Sequence, residues 1–315
     1  MFGVLLIVLP VFLVIGAGYV SVRLGVMEDA VVDALTAFAT RIAVPTLLFT
    51  KMAELDLGSA FDAGMMISFY AGALISAGAA YGAARALGVD GPKAVVIGFA
   101  ALFSNTVLIG LPIMQRAYDP AATEAMVGLI SIHAPMLLTL GMVAMAASRP
   151  SNGGEKNVAG ALISALKSSA QNGILIGLAL GILFNLSGLT MPAPIASSLD
   201  IVAASALPTA LFALGGALTR YSMRAEIGWA TAIVGLSLLL HPALAYGLGS
   251  FVFDLEPRFL RAAVVAASMP SGLTVYVFAA MHRTGEGAGA SAVVLGTALA
   301  VFTVSFWLAV LGGAG

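Results

Sequence analysis

Two stretches of this chain carry hydrogen-bonding side chains where nearly everything around them is apolar. One runs Leu102-Phe103-Ser104-Asn105-Thr106-Val107-Leu108-Ile109-Gly110-Leu111-Pro112-Ile113. The other runs Ala267-Ser268-Met269-Pro270-Ser271-Gly272-Leu273-Thr274. Each sets amide or hydroxyl groups beside Gly and Pro. Proline lacks a backbone donor and clashes with the preceding turn, and glycine permits non-helical dihedrals. Gly110, Pro112, Met269 and Pro270 are therefore the expected points at which a helix breaks. The N-termini of the resulting half-helices offer free N–H groups and positive dipole ends. With Ser104, Asn105, Thr106, Pro270, Ser271 and Gly272 around them, they make a neutral cradle whose natural ligand is an anion. The bland alternative is a pair of proline kinks packed in a bundle.

A third polar position is His133, followed by Pro135 in another apolar run. An ionisable side chain at membrane depth is costly and is by default a functional hypothesis. A histidine with an ordinary pKa of about 6.5 is suited to carry a coupling proton. The competing reading, a hydrogen bond to a neighbouring helix, stands level with it. His241, just before Pro242, reads as such a structural bond, and Arg41 as a side chain reaching for headgroups.

The elements that must hold these residues follow from composition. Of 315 residues, 60% are hydrophobic and 9% charged, and the mean hydropathy is +1.05. A water-facing domain carries about 25% charged residues, so the chain belongs in a bilayer. The net charge of −1 leaves no footprint for nucleic acid. Absence of cysteine removes disulfides and thiolate chemistry. The lack of Lys or Arg in the first 22 residues argues against a cleaved signal peptide. Three histidines without paired carboxylates argue against a metal centre, no phosphate-binding loop points to ATP, and no cofactor is expected. No intramembrane cluster of acids, His or Cys suits an enzyme.

Apolar runs between charged or turn-like breaks predict ten helical spans, at 3–22, 30–50, 63–87, 92–114, 122–147, 163–185, 198–219, 227–252, 259–280 and 289–312. The polar run Arg149-Pro150-Ser151-Asn152-Gly153-Gly154-Glu155-Lys156 reads as a flexible link. It divides the chain into 1–150, a link at 151–162, and 163–315. Loop cations favour the face reached after odd-numbered spans: Arg23, Arg85, Lys93, Arg149, Lys156, Lys167, Arg220, Arg224 and Arg283, against Lys51, Arg116, Arg258 and Arg261. The positive-inside rule then puts the link in the cytoplasm and both termini outside.

The halves echo each other. Val44-Pro45-Thr46-Leu47-Leu48-Phe49 returns as Leu207-Pro208-Thr209-Ala210-Leu211-Phe212, and Ala80-Tyr81-Gly82 as Ala245-Tyr246-Gly247. Five spans reverse the chain, so the two halves are inverted repeats. Interrupted spans at matching positions of inverted repeats point to a transporter's substrate site. Small residues Gly72, Ser76, Ala80, Ala84 and Gly88 form a packing stripe on the third span.

Ser104-Asn105-Thr106 through Gly110-Leu111-Pro112-Ile113 resembles the Asn-Thr…Gly-Ile-Pro stretch of the auxin efflux carrier family. That family includes PIN-type plant auxin carriers and bacterial permeases often labelled malonate transporters. Met269-Pro270-Ser271-Gly272 with Val277-Phe278-Ala279, together with Ala43-Val44-Pro45 and Ala213-Leu214-Gly215, extends the resemblance over the whole chain. Departures are the short link and Ser104 where plant members carry proline, and the short link points to the bacterial permease branch. The resemblance implies an all-α membrane protein of ten helices in two inverted five-helix repeats, similar to bile-acid symporters, with broken helices 4 and 9 crossing. It implies a scaffold of spans 1, 2, 6 and 7 and a mobile bundle of spans 3–5 and 8–10. It also implies a homodimer through the scaffold, residence in a bacterial inner membrane and elevator-like transport of an organic anion, with Asn105 on the carboxylate-binding position. A sodium-coupled acid symporter and an anion channel are the rival readings, so the coupling ion is H+ or Na+. Oxygen ligands for Na+ would come from Asn105, Thr106, Ser271 and Thr274.

Overall fold

The fold is described for residues 2–148, 160, 163, 172–222 and 226–312 of a computed structural model. Most of the expected link at 151–162 and the first part of the expected sixth span lie outside these residues. All described secondary structure is helical apart from one isolated antiparallel bridge. Among the described residues, seven helices are long and apolar enough to cross a membrane: α1 (Gly3–Arg23), α2 (Asp29–Ala53), α3 (Ala63–Ala86), α6 (Pro120–Ser148), α8 (Ala193–Leu218), α9 (Ile227–Phe251) and α12 (Glu286–Val310). Shorter helices lie between them: α4 (Gly91–Leu102), α5 (Leu111–Ala117), α7 (Gly173–Leu186), α10 (Pro257–Ala267) and α11 (Leu273–His282).

Local chemistry explains where these helices begin. The carboxylate of Asp62 accepts from the N–H of Met65 at 2.7 Å, and that of Asp90 from Lys93 at 3.0 Å. The side chain of Asn172 accepts from Ile174 at 2.9 Å. Each satisfies a first-turn donor that has no partner inside the helix. The far end of α2 is closed from another helix. Asn185 Nδ2 donates to the carbonyls of Met52, Ala53 and Leu55 at 3.1, 3.0 and 2.8 Å.

Three prolines among the described residues follow a widened turn that does not end the helix. Three π turns, Ala39–Ala43, Thr106–Gly110 and Leu236–Leu240, directly precede Val44-Pro45, Leu111-Pro112 and His241-Pro242. In each, the N–H of the residue before the proline bonds five residues back, to Ala39, Thr106 and Leu236. The wider turn relieves the clash between the proline ring and the carbonyl four residues earlier. For Pro242 that carbonyl is Leu238, and Trp307 Nε1 donates to it at 3.0 Å.

Glycine brings two helix pairs into backbone contact. A Cβ at Gly177 would collide with the main chain of Pro45, and one at Gly181 would stand 2.7 Å from the Phe49 carbonyl, so α7 lies directly on α2. Gly18 and Gly215 do the same for α1 and α8, against the carbonyls of Phe212 and Ile15. Small residues allow this approach where hydrophobicity alone cannot drive association. In the third-span stripe, Ser76, Ala80 and Ala84 are buried and Gly72 lies against His241. Gly88 is different. It sits past the end of α3 at φ +80° with open space around it, in the left-handed conformation that ends helices.

Candidate functional site

The two polar stretches meet. Helix α4 stops at Leu102 and α10 at Ala267, and non-helical segments follow in both. Ser104 and Ser271 pair in the isolated antiparallel bridge. The N–H of Asn105 donates to the carbonyl of Pro270 at 2.8 Å. Ser271 Oγ donates to the carbonyl of Ala100 at 2.6 Å, which satisfies an acceptor in the last turn of α4. The structure thus brings Ser104, Asn105, Thr106, Pro270, Ser271 and Gly272 together, all buried. An added Cβ at Gly272 would stand 3.5 Å from the Asn105 Cβ.

Asn105 is fixed locally. Its φ of −79° and ψ of 62°, with the Thr106 N–H bonded to the Ser104 carbonyl at 2.9 Å, make it the centre of an inverse γ-turn. Its side-chain Oδ1 accepts from the N–H of Leu108 at 3.3 Å and caps the π turn. That bond sets the amide orientation. The Nδ2 group donates to none of the described residues.

The expected break points need one correction. Met269 and Pro270 lie in the interruption after α10. Gly110 and Pro112 do not interrupt their helix. Gly110 closes the π turn and Pro112 follows it at the start of α5, where the wider turn makes room for its ring. The break falls earlier, at residues 103–105. Gly110 serves packing, since a Cβ there would reach 2.6 Å from Met126 Cε and 3.1 Å from Met269 Cγ.

His133 is brought to the crossing from α6. It is 2% exposed, and its Nε2 stands 3.1 Å from the Ser104 carbonyl. A carbonyl only accepts, so Nε2 carries the proton, and Nδ1 is buried with no partner. The ring packs on Phe69 and Phe103, with centroids 5.5 and 5.0 Å away. His241 holds the Phe69 carbonyl through its own Nε2 at 3.0 Å. Phe69 and Phe103 carry no pattern in the sequence that would have marked them.

Two adjoining clefts open where α2 ends. One of about 410 Å³ is lined by Leu47, Thr50, Lys51, Gln115, Asp200 and Pro208, among others. Its neighbour, of about 290 Å³, shares Lys51, Glu54 and Gln115 and extends to Tyr118 and Glu124. Helix α8, which supplies Pro208, also packs on the Thr106–Gly110 turn. Burial pushes the Tyr118 phenol up to about 12, against the opposing pull of Arg261, whose guanidinium lies 4.6 Å from the ring centre.

Known proteins align with this chain from end to end. A relative from Methanothermobacter thermautotrophicus, named "Uncharacterized transporter", is 27% identical over 307 residues, covering 96% of this chain and 97% of the relative. A Rhizobium meliloti protein named "Putative malonate transporter" is 25% identical over 307 residues, covering 95% and 93%. The family signature described as Membrane transport protein matches residues 4–308. With seven helices able to cross a bilayer among its described residues and an alignment with transporters over nearly its whole length, the chain belongs to this membrane transport protein family, that of the auxin efflux carriers.

Proposed function

We propose that this protein is a secondary carrier of a small organic anion, a mono- or dicarboxylate of the malonate type. The observation that carries the reading is Asn105: a buried amide held at the meeting of two interrupted helices, with its Nδ2 donor uncommitted. A carboxylate finds there an amide donor and the dipoles of two half-helices. A neutral site also avoids the desolvation cost of a buried cation and can release its ligand, as a carrier must. The name of the Rhizobium relative makes malonate the first substrate to try.

Alternating access in this reading is elevator-like. Spans 1, 2, 6 and 7 form the scaffold and spans 3–5 and 8–10 the moving bundle, in two inverted repeats at 1–150 and 163–315. The glycine contacts support that division. They join span 1 to span 7 and span 6 to span 2, which are equivalent pairs under an inverted five-span repeat. The clefts between α2, α8 and α5 offer the access route, and the scaffold's outer surface is the proposed homodimer contact. The membrane is a bacterial inner membrane with both termini outside. Coupling to H+ runs through His133.

Uptake into proteoliposomes, screened over carboxylates with imposed ΔpH, Δψ or Na+ gradients, tests the reading. Saturable flux that exchanges against internal substrate is expected. Flux that grows linearly with concentration and shows no exchange would indicate a channel, and dependence on Na+ alone would favour the symporter.

A further inference from the structure

We infer that His133 is a positioning residue for Asn105, acting through the Ser104–Asn105 peptide group. The inference rests on the proposed role of Asn105 as the substrate donor. It stands whether or not His133 also carries the coupling proton.

This one peptide group is held from both sides by different helices. Its carbonyl accepts from His133 Nε2 on α6 at 3.1 Å, and its N–H donates to Pro270, beyond α10, at 2.8 Å. The remaining local bond, Thr106 N–H to Ser104 O at 2.9 Å, closes a three-residue turn. Such a turn is a shallow local minimum that the chain leaves easily without outside support. The direction of the Asn105 side chain is set by the φ and ψ of that turn. A displaced Ser104–Asn105 peptide plane therefore re-aims the amide even if the helix after it stays in place.

The imidazole itself has little freedom. Phe69 and Phe103 pack against its ring, and His241 fastens the Phe69 backbone from α9. A chain of contacts thus runs from α9 through α3 and α6 to the crossing. Without the imidazole donor, a carbonyl in a residue only 3% exposed loses its one contact from outside the turn. A buried acceptor left short of partners draws the backbone toward any available donor. Glutamine places an amide nitrogen close to where histidine has Nε2, so it restores the donor and cannot titrate.

The test uses full-length protein in nanodiscs. Hydrogen–deuterium exchange is read over residues 100–112, and binding is read with radiolabelled malonate. His133→Leu should speed exchange at the crossing at least tenfold and weaken malonate binding by about tenfold. Exchange in α1 and α8 should be unchanged. His133→Gln should return both readings to wild type. If His133→Leu gives no folded protein, His133→Asn, whose shorter amide falls short of the carbonyl, takes its place. Wild-type exchange at 100–112 in the Leu or Asn variant overturns the inference, as does failure of Gln to rescue it. Slow exchange with loss of binding in Asn105→Ala alone would keep the substrate site and remove only the role of His133. Malonate binding untouched by Asn105→Ala would instead remove the site, leaving the exchange result to decide the His133 contact.

Discussion

The backbone N–H of Asn105 donates to the carbonyl of Pro270 at 2.8 Å, so the two interrupted helices are joined through main chain. Every substitution at 105 except proline keeps that bond. The Asn105 side chain can therefore be changed while this main-chain link stays in place; aspartate also keeps an oxygen to cap the Leu108 N–H, and alanine gives that cap up.

Asn105→Ala removes an amide donor to a charged ligand, a loss of roughly 1.5–3 kcal/mol. The apparent Kd of the substrate identified by the proteoliposome screen should rise by about ten- to over a hundredfold, with helical content unchanged by circular dichroism. Asn105→Asp should bind more weakly still, because it sets like charge against the carboxylate. Unchanged affinity in both variants would move the anion elsewhere.

Proton coupling gives a separate prediction for His133. In His133→Gln the donor to Ser104 remains and the titrating group is gone. Binding should be retained while stimulation of uptake by ΔpH disappears. ΔpH-driven uptake at the wild-type level in this variant would rule His133 out as the proton carrier.

The chain has no cysteine, so single introduced cysteines report topology without background. Ser187→Cys, in an exposed turn after α7, should react with an impermeant maleimide in intact cells. Glu286→Cys, exposed at the start of α12, should react only after permeabilisation. The reverse pattern would invert the proposed orientation.

Packing between α2 and α7 is tested at Gly177. Its missing Cβ makes way for the main chain of Pro45, which cannot swing aside as a side chain can. Gly177→Leu should cost roughly 1–3 kcal/mol or more and lower the melting temperature in detergent by several degrees. Gly16→Ala, with nothing within 4 Å of the added carbon, is the control and should melt at or above wild type. Equal melting of the two variants would contradict the close contact.

Much of this was legible in the residues alone. Sparse charge put the chain in a membrane, and the seven long helices coincide with apolar runs. The polar group around Asn105 stood out because nothing near it was polar. The position of the break did not stand out. Gly110 and Pro112 were the conspicuous helix-breaking types, yet a first-turn proline after a π turn leaves a helix intact, and the chain parts at 103–105. The partner of His133 was hidden because it is a main-chain carbonyl on another helix, and a carbonyl has no residue type. For the same reason Asn185, which caps α2 from α7, carried no sign of its role. The glycines at 18, 177, 181 and 215 were visible, but the helices they touch could be named only once the helices were in place.

The π turn at Thr106–Gly110 has a consequence for how such chains diverge. It holds one residue more than an α-helical path needs. Four α-helical residues at about 100° each turn through nearly the same angle as the five residues of this wider turn. Deleting a single residue there would therefore restore ordinary pitch and leave α5 facing as it does, with Gln115 still on the cleft wall. A one-residue change of length at this point is absorbed where it occurs, and the lining of the access route keeps its register.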